Sequence, residues 1–158
     1  MKGIIHIRID DRLIHGQVAT MWTNNLGATR IMVINDEVAN NDLQKSVLRM
    51  AAPSNVSTSI ITRETALKNI SSGKYEGQKV FIVVKSPLDL LYLVKNGLDI
   101  KKINVGNMSS KSNTEVIRPS VSVTPEEKEA FKELIDRGVE VTAIMTPTDP
   151  LVYLKEYL

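Results

Sequence analysis

Short runs of β-branched and apolar residues alternate with segments of helical spacing along nearly the whole chain, and this alternation limits the fold more than any other feature. Six such runs stand out: Gly3–Ile9, Arg30–Ile34, Asn55–Ile61, Lys79–Val84, Lys102–Val105 and Val139–Ile144. After the first run, Val18, Met21, Trp22 and Leu26 repeat at helical intervals and Gly27 stands where a glycine ends a helix, predicting a helix over 16–26. Asn40 or Asn41 opens a second helix through Leu43, Val47 and Leu48 that Pro53 stops, and a third fits residues 63–70. Ser86-Pro87 and Thr124-Pro125 each supply a cap followed by a first-turn proline, starting helices that run to Gly97 and Gly138. A short last helix follows Pro150.

Strand and helix alternating at this spacing call for a single α/β domain over residues 1–158: an open, mainly parallel sheet of six to seven strands with helices on both faces. The alternation fails between Val105 and Thr124, where Gly106–Lys111 reads as a loop and Val116-Ile117 with Ser120–Val123 reads as a hairpin or an antiparallel edge strand. Trp22 falls on the apolar face of the first helix, and His6, inside an apolar strand, reads as a hydrogen-bonded core residue.

Composition narrows the chemistry. The chain has no cysteine, which removes disulfides, thiol catalysis and Cys-bearing zinc sites. A formal net charge of +2 is far from the basic footprint of a nucleic-acid binder. No apolar run approaches the roughly 18 residues of a membrane span, and the N-terminus lacks the continuous apolar stretch of a secretion signal. A cytoplasmic location is the expectation.

Open α/β sheets bind ligands beyond the carboxyl ends of their strands, which directs attention to the loop after the first strand. That loop is Asp10-Asp11-Arg12-Leu13-Ile14-His15-Gly16-Gln17, with Arg8 just inside the strand. An imidazole at His15 can act as a nucleophile. The unsatisfied N–H groups of a helix start at Gly16 and Gln17 can receive an anion placed on it. Arg12 offers a planar fork for phosphoryl oxygens, and a carboxylate from Asp10 or Asp11 can orient either the arginine or the far ring nitrogen of His15. Ser109 and Asn35, each just past another strand end, are further candidates for the same crevice. A metal site is not expected, because adjacent aspartates in an extended segment point opposite ways and Arg12 opposes a cation. The P-loop, hydrolase-elbow and dinucleotide-binding glycine patterns are all absent, and no cofactor is expected.

The eleven residues from Arg8 to Val18 resemble the IIB component of the mannose/fructose/sorbose family of the bacterial sugar phosphotransferase system. The resemblance extends over essentially the whole chain through Val33–Ala39, Ala52-Pro53, Asn104-Val105-Gly106 and Val121-Ser122-Val123. It implies an open sheet with one antiparallel strand, and a histidine at position 15 phosphorylated on Nδ1. The phosphoryl group would come from a phosphorylated IIA component and pass to a hexose-type sugar entering through the membrane components IIC and IID. By the same resemblance Arg12 is the phosphate clamp, Arg8, Gly16 and Gln17 are expected to help bind the phosphate, Asp10 and Asp11 frame the loop, and the chain works peripherally at the membrane transporter. Asn107 stands where many members carry a second glycine, and residues 109–114 depart from the common loop.

The second reading of the same loop is a module that binds a phosphorylated ligand or protein without accepting the phosphate. A relay has to show His15 to two partners in turn, so Leu13 and Ile14 are expected as the exposed apolar core of a docking face. Pairing into a homodimer stays open.

Overall fold

A computed structural model describes residues 1–158. Its elements run β1 (Ile4–Asp10), α1 (Gly16–Leu26), β2 (Arg30–Ile34), α2 (Asp36–Ala39), α3 (Asp42–Ala51), β3 (Ser57–Ile61), α4 (Arg63–Ser71) and β4 (Val80–Val84). Then come α5 (Pro87–Lys95), β5 (Lys102–Asn107), β6 (Glu115–Arg118), β7 (Val121–Val123), α6 (Pro125–Asp136), β8 (Glu140–Thr142) and a final 3₁₀ turn (Leu154–Tyr157).

Six strands form one sheet in the order β3-β2-β4-β1-β5-β8, and every pairing in it is parallel. A parallel sheet is covered on both faces, so its central strands have no polar side to show. β4 accordingly reads Val-Phe-Ile-Val-Val with every residue buried. The strand residues divide between two cores. Ile31, Val33, Phe81 and Val83 pack under α1, α2 and α3 with Trp22, Val38 and Leu48. Met32, Ile34, Ile82 and Val84 pack under α4, α5 and α6 with Ile70, Leu90 and Phe131.

The antiparallel pairing implied by the sequence is present, but outside the main sheet. β6 and β7 form a separate two-stranded ribbon joined at Pro119-Ser120, tethered to the end of β5 by a bridge between Met108 and Val121. At the β8 edge, one antiparallel bridge joins Thr142 to Tyr153. The helix over 36–39 is new. Its residues read as loop because a single turn carries no apolar period, yet the Asn35 side chain caps it by accepting from the Val38 N–H. The segment after Pro150 is a 3₁₀ turn rather than an α-helix.

Adjacent strands β1 and β4 send their following helices to opposite faces: α1 joins the Trp22 core and α5 the Phe131 core. Their carboxyl ends therefore diverge and leave a crevice, the topological switch point at which such folds hold ligands.

Candidate active site

The loop after β1 begins with a tight turn in which the Leu13 N–H donates to the Asp10 carbonyl at 2.9 Å. Leu13 takes a left-handed φ of 61°, unusual for a leucine, and this bend drives it and Ile14 inward. They are 5% and 4% exposed and belong to the α1-side core, so they do not form the exposed docking apex expected from the sequence.

Asp10 organises the arginines. Its buried carboxylate accepts from Arg12 Nε and Nη2, both at 2.9 Å, from the Arg12 backbone N–H at 3.1 Å, and from Arg8 Nη2 at 3.3 Å. The side chain of Arg12 is 30% exposed, so one edge of its fork is fixed by Asp10 while part of the group still reaches solvent. Hydrogen bonding to Asp10 is the main reason the Arg12 guanidinium is held above its ordinary pKa.

Arg8 lies beneath this pair, 2% exposed. Its Nη1 donates to the Ile144 carbonyl, its Nη2 also contacts Met145 Sδ at 3.5 Å, and its guanidinium carbon sits 5.2 Å from the Trp22 ring centroid. Burial pulls its pKa below the ordinary arginine value, with Asp10 opposing. With its terminal nitrogens engaged inside the protein, Arg8 supports Asp10 from below and offers no N–H at the surface. Gly106 makes room for it: a Cβ there would fall 2.0 Å from the Arg8 guanidinium carbon.

Asp11 turns the other way. Its Oδ2 accepts from the Ser109 backbone N–H at 2.7 Å, and its Oδ1 from Asn107 Nδ2 at 2.9 Å and Ser109 Oγ at 3.2 Å. Asp11 thus ties the β1 loop to the segment after β5, and Asn107 and Ser109 are committed to holding it. Asn35 is engaged in the α2 cap.

His15 occupies the N-cap position of α1 with an extended backbone, exposed and with no side-chain hydrogen bond to the helix. The other five helices each have a side-chain oxygen, from Asn35, Asn41, Thr62, Ser86 or Thr124, accepting a first-turn N–H. At α1 no such oxygen stands over Gly16, Gln17 and Val18. Those donors remain open beside an exposed imidazole, the arrangement that receives an anion. Gly16 has a φ of 48° and open space around it, so its value is conformational rather than steric.

Several supporting groups carry weak sequence signals. The segment after β8 backs the arginines: the Trp22 Nε1–H donates to the Met145 carbonyl at 2.9 Å, and Asp149 accepts from Met145 N, Thr146 N and Thr146 Oγ1. Asn104 holds the same segment by donating to the Ile144 carbonyl and accepting from the Ile144 N–H. A polar Asn104 within an apolar strand and a glycine two residues later are the available signals for this close packing. Nothing in the pattern of residues 145–149 marks them.

His6 differs from its expectation. It stacks on Trp22 at 4.7 Å between ring centroids, but its buried Nε2 has no hydrogen-bond partner. Burial, then the charges of Arg8 and Lys102, push its pKa down to about 4.

The fold and this loop define a class: a doubly wound α/β domain presenting an exposed histidine and a braced arginine at the carboxyl end of its sheet. Residues 4–158 match the sorbose-subfamily IIB component of the phosphotransferase system, and the chain belongs to that family. It is 37% identical to the fructose-specific EIIB component of Bacillus subtilis (strain 168) over 94% of this chain and 91% of that one. It is 36% identical to the mannose-specific EIIAB component of Escherichia coli K12 over 96% of this chain, which spans about half (47%) of that longer relative. The crystal structure of the IIB domain of the sorbose permease from Klebsiella pneumoniae superposes with a TM-score of 0.94 at 34% identity, covering 99% of this chain and 96% of that one. The chain is accordingly a phosphoryl-transfer subunit of a sugar phosphotransferase system.

Proposed function

We propose that His15 is the residue that carries the phosphoryl group, taken from a phosphorylated IIA component and passed to a hexose-type sugar entering through membrane IIC and IID components. One observation carries the assignment to His15: α1 alone lacks a side-chain cap, and the residue at its cap position is an exposed imidazole. A ring nitrogen attacks phosphorus as the donor's N–P bond breaks, and the open N–H groups of Gly16 and Gln17 face the arriving oxygens. Arg12, braced by Asp10, is the clamp. Its fork is already ordered, so little freedom is lost when it meets charge spreading over the transferring group. Asp10 positions the clamp, with Arg8 beneath it. No helix is long and apolar enough to cross a membrane, and in this reading the final transfer is made to a sugar held by the membrane components IIC and IID.

A pulse-chase experiment tests the relay. The chain is phosphorylated from labelled phosphoenolpyruvate through the general phosphotransferase components and IIA, then mixed with membranes carrying IIC and IID and the sugar. The expected result is acid-labile, alkali-stable label that leaves the wild-type chain as sugar phosphate, with none acquired by His15→Ala. Label that stays on the chain, or forms equally on His15→Ala, contradicts the reading.

A further inference from the structure

The apolar surface missing from Leu13 and Ile14 is found on α3. Leu43, Val47 and Met50 are 75%, 57% and 84% exposed, and their spacing puts them in one stripe along the helix. That stripe borders a cavity of about 280 Å³ whose walls include Leu43 and Val47 on one side and Arg12 and Lys85 on the other. Large apolar side chains exposed together beside a functional crevice mark an interaction site more often than a solvated surface. Arg12 shares the walls of this cavity with Leu43 and Val47, so a protein that seats a phosphorylated side chain against Arg12 has α3 within reach across it.

Resting on the relay reading above, we propose that the α3 stripe with Arg12 and Lys85 is the docking surface for the phosphorylated donor, the IIA component. The charges favour the donor over the membrane acceptor. Before transfer the cavity rim carries Arg12 and Lys85 against one carboxylate, Asp11, which is turned toward Ser109 and Asn107, while Asp10, the partner of Arg12, lies buried beneath the rim. This rim complements a partner that arrives bearing a phosphoryl group. After transfer the phosphoryl group on His15 neutralises the same cations, the attraction ends, and the spent donor leaves. The membrane acceptor meets the chain only in that neutralised state. A small apolar stripe with a charged rim suits the brief encounters a relay requires.

The test follows label transfer from phosphorylated IIA as its concentration is raised, for wild type, Leu43→Asp and Met50→Asp. Both positions are exposed, and intact folding is checked by thermal unfolding. The expected result is at least a tenfold rise in the donor concentration giving half-maximal rate, with the saturating rate within twofold of wild type. Chase of label from the saturated variants to sugar should proceed at the wild-type rate. Wild-type concentration dependence in both variants, or a defect confined to the chase, overturns the proposal. A titration of the isotope-labelled chain with unphosphorylated IIA separates this from failure of the relay itself. NMR shifts concentrated on residues 43–50 support docking here even if no label moves, and their absence overturns it.

Discussion

Arg12 is held along one edge by Asp10 and open on the other, a geometry that depends on the planar fork of a guanidinium. A lysine keeps the charge but has no second nitrogen with which to grip the carboxylate and a phosphoryl oxygen together. Arg12→Lys should therefore lose about 2 kcal/mol of transition-state stabilisation, slowing transfer roughly thirtyfold. Rapid-quench measurement of labelling from phosphorylated IIA checks this, and a wild-type rate removes the clamp. The concentration of chemistry in Arg8–Gln17 was legible from residue types alone. Which arginine faces solvent was not, since Arg8 and Arg12 differ in burial only because β5 and the segment after β8 close over the first and leave the second at the turn. The inward turn of Leu13 and Ile14 escapes the sequence for a related reason. A left-handed leucine reverses the loop, and no sequence rule anticipates that conformation at a leucine.

Among the elements, β5 owes its fit beside β1 to a glycine. Gly106 is buried, and its missing side chain is the space occupied by the Arg8 guanidinium, which Trp22, Asp10 and the Ile144 carbonyl confine on other sides. Gly106→Ala has to displace that group. The expected cost is about 2 kcal/mol of stability from overpacking, seen as a lower urea midpoint, together with slower phosphorylation because Asp10 loses its support. An unchanged midpoint and rate contradict this role. The long elements were readable because their caps and apolar periods agree: Thr124 and Glu127 form a reciprocal capping box at α6, and Ser86-Pro87 opens α5 as its chemistry requires. The short strands β7 and β8 were still marked by the apolar runs Ser120–Val123 and Val139–Ile144, whereas the single turn of α2 is too short to display a period and depends on its Asn35 cap. The α3 stripe shows the converse case. Leu43 and Val47 marked the helix correctly, but periodicity does not say which apolar residues a fold leaves uncovered.

At the scale of the whole molecule, the crevice exists because β1 and β4 lie side by side and send their chains to opposite faces. The same stacking of layers traps His6 under the site against Trp22, neutral and without a partner for Nε2. Its folded pKa of about 4 lies below the ordinary 6.5, so between these values the unfolded chain binds more protons than the folded one. Stability from this residue is complete above about pH 6.5 and is lost as pH falls toward 4, by about 3 kcal/mol in all. Urea unfolding across that window should show a shallower acid decline for His6→Phe, which keeps the stacking without the titration. Parallel declines in the two proteins contradict the assignment.

The chain contains only two histidines, one half-buried with its Nε2 enclosed and one exposed at the helix start, so phosphorylation can be assigned ring by ring. The direct measurement is ¹⁵N and ³¹P NMR of the imidazoles before and after phosphoenolpyruvate-driven phosphorylation through IIA. One ring nitrogen of His15 should acquire coupling to phosphorus, Nδ1 by the family resemblance, while the His6 nitrogens remain uncoupled and His15→Ala shows no coupled nitrogen. Coupling on His6, or none on either ring with an active donor, contradicts the account.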